Sequence, residues 1–512
     1  MGAAPVAVID LGSNSARVVV FRITPQGCPE VIADERVSLQ LIRELDGRGR
    51  LRRRGLERII RVLRDFRQVA TGAGAKTMIA FGTSALREAT DTHGLFMRVR
   101  AEAGVEVEIL DAESEARAGF LGAIYGLPLR HGLVFDIGGG SLQLTRFRDR
   151  KLRRVWSLPL GALRLSDRFL TSDPPVAGQI RKLRAHIHRA LDRAGVPVLG
   201  RNDVLVATGG SAWSLAKVDA RRREYPIPRL HGYEVTRHHL REITALLAGC
   251  TSRARARLPG LNLNRAESIV GGSIVTECVL DVCGGTRFLV AGLGLREGIV
   301  LDRCGIGLPL PQQVRASSVA ALIAHFTTYD PSRARRRRDL ALALYRSLEP
   351  RAEPILTEML IHAAELLDIG KSVDFYRLQA HTASILRASG LLGFSHREIA
   401  LLSAIVELSD EAGWNPKRAR PLLQEEDHDP LERAGLALSL ACVIEQRLPP
   451  GRIARVESRT LVDAFVVREP ALIAWEGLEL RARFWKAFGK ELQVAAGPER
   501  RVSSSRPQKR RR

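Results

Sequence analysis

Residues 6–23 read VAVIDLGSNSARVVVFRI and residues 133–147 read LVFDIGGGSLQLTRF. Each is an apolar run, a small polar turn led by an aspartate, and a second apolar run. That is the pattern of a β-hairpin with glycine and serine at its tip. The leading aspartates, Asp10 and Asp136, lie about 126 residues apart. Such an internal duplication predicts two like domains whose hairpins face one another across a cleft.

Working outward, Leu56, Ile59, Ile60, Leu63 and Phe66 recur at helical spacing. A short strand is expected at 77–81, a helix from 83 to 89, a strand at 105–110 and a helix over 112–125. Strand 204–207 runs into Thr208-Gly209-Gly210-Ser211, a third glycine turn, and strand 286–291 leads to a helix opening at Leu295. Past Pro309 the glycine turns thin out. Helices are expected over 316–327, 339–348, 354–368, 377–389, 396–409, 431–447 and 470–488, with strand-like pieces at 452–457 and 460–466. The domains expected are therefore 1–127, 128–308, a helical region 309–498 with a small terminal subdomain, and a basic, disordered tail at 499–512.

Seventy-nine Lys and Arg against 56 Asp and Glu leave a net charge of +23, a field that attracts polyanions without choosing among them. Five arginines crowd 333–338, and seven basic residues crowd 500–512. No apolar run approaches the ~20 residues that span a bilayer, and the N-terminus lacks the pattern of a signal peptide. Six scattered cysteines without CxxC spacing point away from a zinc site or disulfide framework and toward a reducing cytoplasm.

The chemistry sits in the hairpin tips. Gly12 lets backbone approach an anion, while Ser13, Asn14 and Ser15 offer hydroxyl and amide donors. Gly138, Gly139 and Gly140 are costly in a sheet and make sense where a ligand lies against bare backbone, with Ser141 beside it. Asp10 and Asp136 are hard oxygen ligands suited to Mg²⁺, the shell being completed by substrate phosphates.

DLGSNSAR at 10–17 and DIGGGS at 136–141 are similar to the two phosphate-binding motifs of the Ppx/GppA phosphatases (exopolyphosphatase and guanosine pentaphosphate phosphohydrolase). FGTSALREATD (81–91), ESEARAGFLGA (113–123), LPLGALRLSDRF (158–169), ATGGSAWSLAK (207–217), LHGYEVT (230–236) and GLREGIVLD (294–302) resemble further blocks of that family, in order. The resemblance covers about residues 5–303. It implies an α/β fold of two actin-like (ribonuclease H-like, ASKHA) domains around a central cleft, followed by a mostly helical HD-like region. It also implies Mg²⁺ or Mn²⁺ dependence, Glu115 as general base, Arg87 as a phosphate clamp, a homodimer, and a phosphate-binding set extended to Arg17, Thr83, Ser84, Gly209, Gly210 and Ser211.

Two departures stand out. Where the family commonly continues GGGS-Thr-Glu, this chain has Leu142 and Gln143, a neutral amide that is no base at neutral pH. Glu365-Leu366-Leu367-Asp368 sits where an HD domain would show His-Asp, with His381 lacking a partner, which reads as a degenerate scaffold. The expectation is an exopolyphosphatase whose basic helical half extends a track for a long polymer. The alternatives are hydrolysis of pppGpp to ppGpp, a catalytically weak sensor of polyphosphate or alarmone, and, disfavoured by the downstream blocks, a sugar kinase. Nucleic acid is a secondary partner at most, because no helix-turn-helix or aromatic-interleaved motif is present.

Overall fold

The structure is a computed structural model describing residues 4–495 apart from positions 91, 327, 411–413, 420, 450, 453–456, 470, 471, 473 and 474. The basic tail and most of the strand expected at 452–457 lie outside those residues. The chain divides into two compact units, one of residues 4–322 with Gly390–His396, the other of residues 323–389 and 397–495.

In the first unit, strands β1 (Val6–Leu11), β2 (Ser15–Ile23), β3 (Pro29–Ser38), β4 (Thr77–Gly82) and β5 (Val107–Ile109) form one sheet in the order β3-β2-β1-β4-β5. Strands β6 (His131–Ile137), β7 (Leu142–Arg148), β8 (Lys151–Leu158), β9 (Val204–Thr208), β10 (Glu234–Thr236) and β11 (Arg287–Val290) form a second, ordered β10-β11-β9-β6-β7-β8. The duplication seen in the sequence is a duplication of topology. In each sheet the hairpin is antiparallel, and its first strand pairs in parallel with a strand from later in the chain: β1 with β4, β6 with β9. β3 and β8 extend the two hairpins in the same way, and sequence reading missed both because their faces are mixed in polarity.

The helix Ala112–Tyr125 lies between the sheets. Its Ala118 packs with Val8 and Phe81 of the first, and its Phe120 and Ile124 pack with Val134 and Val206 of the second. It crosses the helix Leu295–Arg303 at very close range. A Cβ on Gly122 would sit 1.9 Å from the Gly294 carbonyl oxygen, and one on Gly298 1.8 Å from that of Ala118. Small residues here let the two backbones touch, which holds both lobes to one axis.

The second unit holds the helices Pro331–Leu348, Pro354–Leu366, Leu378–Ala388, His428–Gln446 and Leu478–Phe488. Its sheet comprises β12 (Glu457–Thr460), β13 (Ala464–Arg468) and β14 (Glu491–Ala495), in that order. The helix expected from 339 begins at Pro331, because Asp330 caps it by accepting from the N–H groups of Ser332 and Arg333. Four of the five arginines in the run within it are paired with carboxylates. Arg333 and Arg336 both grip the buried Glu445 (2.7 and 2.8 Å), Arg337 pairs with Asp368 (3.1 Å) and Arg338 with Glu365 (3.0 Å). Asp368 also receives Lys371 at 2.8 Å. The residues singled out as HD remnants are thus the counterions that fold the run inward.

In the first unit, His231 Nδ1 accepts from the Gly292 N–H (3.0 Å), which leaves Nε2–H to donate to the Gly126 carbonyl (3.1 Å). His396 lies between the Tyr225 hydroxyl and the His231 carbonyl. Burial pushes both imidazoles down to about 4, so the fold holds them neutral. Unfolded, they take a proton near about 6.5. Their contribution to stability is therefore full above pH 6.5 and is lost as pH falls from there toward 4. Between pH 7 and pH 5 the unfolding free energy should drop by on the order of 1–2 kcal/mol for each histidine. Equal urea midpoints at the two pH values would show that these rings are not held neutral.

Candidate active site

The two hairpin tips are closed by the same hydrogen bond. Gly12 N–H donates to the Ser15 carbonyl (3.1 Å) and Gly138 N–H to that of Ser141 (2.9 Å). Their remaining carbonyls are tied down from outside. Ala162 N–H donates to Gly138 O (2.9 Å), Leu163 and Arg164 N–H to Gly139 O (both 3.0 Å), and Gly161 N–H to Gly140 O (3.3 Å). These donors are the otherwise unmatched first amides of the helix Ala162–Phe169. In the first hairpin, Asn14 O accepts from the N–H groups of Leu39 (3.0 Å) and Gln40 (2.9 Å), and Ser13 O accepts from that of Ile42 (3.3 Å). A trans peptide directs its N–H opposite to its C=O. Pinning these carbonyls therefore turns the N–H groups of Asn14 and Ser15, and of Gly139, Gly140 and Ser141, the other way, into two amide nests suited to an anion.

Both tips line one cavity of about 640 Å³. They also touch: a Cβ on Gly139 would lie 3.0 Å from Asn14 Cβ, and one on Gly140 2.6 Å from Ser84 Oγ and 2.8 Å from Ser13 Oγ. The glycines are required by the meeting of the hairpins as well as by the ligand side. Ser13 Oγ accepts from the Ala85 N–H (3.1 Å), and both polar atoms of the buried Asn14 amide lack a protein partner. An unmatched buried amide on the cavity wall is what a ligand-contacting group looks like.

Four carboxylate residues line this space, one of them Glu297, which accepts from the Gly294 N–H at 2.7 Å. Burial raises the Asp10 carboxyl above its usual range against the pull of Arg296, which donates to it at 3.0 Å. Asp136 is pushed up to about 6 by burial and by the charge of Asp10. Glu115 is pushed up to about 7 by burial, with Arg87 opposing and Asp136 and Asp10 adding to the rise. Gly209, at φ +80°, brings backbone so close to Asp136 that a Cβ there would stand 2.0 Å from Oδ1. Cations face them. Arg17, Arg36, Arg265, Arg296 and Lys217 all line the cavity. Burial holds Arg265 down to about 9, with Arg36 adding to the fall, and burial, Arg17 and Arg296 lower Arg36. An anion entering here would relieve the crowding among the arginines.

Most of the residues expected from sequence come together on this wall: Asp10, Gly12, Ser13, Asn14, Ser15, Arg17, Thr83, Ser84, Glu115, Asp136, Gly138, Gly139, Gly140, Ser141, Gln143, Gly209 and Gly210. Two do not. Ser211 is 1% exposed and donates to the Ile137 carbonyl, so it braces the sheet. Arg87 stands behind Glu115, donating to its Oε2 (2.9 Å) and to the Leu110 carbonyl (2.7 Å), so it orients that carboxylate. Arg17 lines the cavity but is paired with Asp34. Gln143 donates to Ser141 Oγ at 3.0 Å. Sequence reading did not single out Arg36, Arg265 or Lys217, three cations in a chain with 79.

A divalent ion fits this donor set. Asp10 and Asp136 are paired buried carboxylates whose mutual repulsion a cation would cancel. Mg²⁺ takes one or two carboxylates together with phosphate oxygens and waters. Among the described residues no group of three or more His, Cys, Asp or Glu could hold an ion unaided. A niche of about 20 Å³ is lined by Glu115, Asp136, Gln143, Thr145 and Thr208, room for one water with polar partners.

Two sheets of matching order, hinged on crossed helices with facing phosphate hairpins, define an actin-like phosphate-binding fold. The chain belongs to the Ppx/GppA phosphatase family, whose profile matches residues 19–305, with the profile of the family's domain III matching 314–457. At that level it is a phosphatase. It is 33% identical over 300 residues to exopolyphosphatase 1 of Mycobacterium tuberculosis, covering 58% of this chain and 87% of that one. Among solved structures it resembles the Aquifex aeolicus member of the Ppx/GppA family at 26% identity and TM-score 0.52, covering 59% of this chain and 97% of that one. An exopolyphosphatase from Cytophaga hutchinsonii shares the fold at 23% identity and TM-score 0.54, covering 59% and 99%. No helix among the described residues is long and apolar enough to cross a membrane.

Gly161 offers a direct test of the pinned loop. A Cβ there would meet Gly140 C at 2.3 Å and Gly139 O at 2.4 Å, backbone atoms that cannot step aside. Gly161→Ala should weaken tripolyphosphate binding, followed by calorimetry, by about tenfold or more, the scale of one or two charge-assisted hydrogen bonds. Gly178→Ala, which meets nothing within 4 Å, should leave binding unchanged. Equal affinities for both variants would mean the loop's shape does not matter.

Proposed function

We propose that this protein is an exopolyphosphatase, releasing terminal orthophosphate from inorganic polyphosphate by metal-dependent hydrolysis. The observation carrying this reading is the pair of amide nests facing one cavity together with the buried carboxylates Asp10, Glu115 and Asp136 and the cations opposite them. That arrangement fits a chain of phosphates better than any neutral substrate. The Mycobacterium relative's name supports the same substrate.

In this reading the nests and Arg36, Arg265 and Arg296 neutralise the oxygens of the last two phosphates. Asp10 and Asp136 would hold Mg²⁺ or Mn²⁺, which supplies charge stabilisation to the transferring phosphoryl group when bound. A water in the niche walled by Glu115 and Gln143 attacks the terminal phosphorus in line. The bond to the bridging oxygen breaks, the shortened chain leaves with that electron pair, and Glu115 takes the water's proton. A carboxylate whose pKa lies near 7 is matched to that exchange. Arg87 keeps Glu115 aimed. Gln143 orients Ser141 and the water but accepts no proton, so turnover rests on Glu115 alone. The six cysteines, all free, suit a reducing cytoplasm.

A second reading is pppGpp hydrolysis, favoured by one feature. The cavity is also lined by Trp213, Leu230, Leu261 and Leu263, apolar surface that a polyphosphate chain does not need and a base would cover.

Phosphate release from long-chain polyphosphate should require Mg²⁺ or Mn²⁺ and fall by roughly 10²-fold or more in Glu115→Gln, the scale of lost general-base catalysis. Gln143→Glu should change the metal requirement. Faster release from pppGpp than from polyphosphate would select the second reading. No release from either substrate, with tight binding retained and activity appearing in Gln143→Glu, would sink the hydrolase in favour of a polyanion sensor.

A further inference from the structure

The helix Ala162–Phe169 does more than pin the glycine loop with its amides. Arg164 and Asp167, three residues apart on it, both reach across the cleft to the first sheet's lobe. Arg164 Nη2 donates to both oxygens of Glu88 (2.6 and 2.5 Å), while its Nε donates to the Gly140 carbonyl (2.8 Å). Glu88 also accepts from Ser84 Oγ (2.9 Å), the hydroxyl that faces Gly140 at the meeting of the hairpins. On the same rim, Arg43 of the first lobe donates to Asp167 (2.7 and 2.9 Å) and to Glu267 (2.8 Å) of the second.

We propose that Arg164 and Glu88 form a positioning pair that couples closure of the cleft to the shape of the second phosphate nest. The Gly140 carbonyl has two donors, one of which is a side chain that must hold still. A lone arginine samples many rotamers, and a carboxylate gripping the far end of its fork removes that freedom. Glu88 supplies this grip only when the lobes are closed, because it stands on the other side of the cleft. Closure therefore fixes the peptide between Gly140 and Ser141 and aims the Ser141 amide into the cavity. Opening frees Arg164 and loosens the nest, which lets product leave. Arg43 with Asp167 and Glu267 acts alongside as a latch with no contact to the loop. These pairs are partly exposed, so salt weakens them.

The role in turnover rests on the hydrolase reading, but closure does not, and the experiment separates them. Spin labels at Arg61→Cys and Arg189→Cys, exposed positions on opposite lobes, report the lobe-to-lobe distance in a Cys304→Ser background. The parent protein should give a narrow short distance that broadens in Glu88→Ala, in Arg43→Ala and at 1 M salt, taken as about a 3 Å Debye length. Tripolyphosphate affinity should fall roughly three- to tenfold in Glu88→Ala, the scale of one partly exposed charged pair, with Tm unchanged. The swap Glu88→Arg with Arg164→Glu should restore the narrow distance but not the affinity, since Gly140 O then keeps only the Gly161 N–H and loses its side-chain donor. Unchanged distance and affinity in Glu88→Ala would overturn the coupling, as would full rescue of affinity by the swap. A parent protein that neither binds nor cleaves polyphosphate would remove the proposed function, while the distance results would still decide the coupling.

Discussion

The first unit depends on the orientation of a few peptide planes. Two hairpin tips, far apart in sequence, each have their carbonyls held from behind by amides of a neighbouring segment. Leu39, Gln40 and Ile42 do this for the first tip, and Gly161 to Arg164 for the second. Holding a carbonyl is an indirect way of aiming an N–H, and it needs no side chain in the ligand's path. The crossed helices at Gly122 and Gly298 and the matching sheet orders then bring the two tips together.

The electrostatics follow from burying this arrangement. Carboxylates brought together inside the lobes resist ionising, and guanidinium groups brought together resist protonation. Each set is destabilised by its own crowding, and an incoming phosphate chain with its cation relieves both. Part of the folding stability is in this way held back from the site until substrate arrives. Gln143 belongs to this balance, because a glutamate there would add a further carboxylate beside Asp136 and Glu115.

The hairpins were legible in the sequence because a turn of aspartate, glycines and serine between two apolar runs has few physical readings, and its recurrence has fewer. Glu115 was named only through resemblance, since a helix glutamate beside Glu113 carries no local signal. Arg36 and Arg265 were invisible among so many basic residues, for what marks them is burial beside other guanidinium groups, a property of the folded chain. The pairing of the run 333–338 is hidden from sequence for the same reason. Its counterions Glu365, Asp368 and Glu445 lie further along the chain, and no local pattern announces such pairs. Gly161 could have been questioned from sequence, as a glycine opening a helix beside a phosphate loop, but the clash that requires it appears only in space.

The most direct test of the clamp is hydrogen exchange of the backbone amides, read peptide by peptide, with and without tripolyphosphate and Mg²⁺. If both hairpins hold the substrate, peptides spanning 10–17 and 136–143 should gain protection together and at the same ligand concentration. Protection of one hairpin without the other, or protection confined to surface arginine segments, would contradict a two-hairpin clamp.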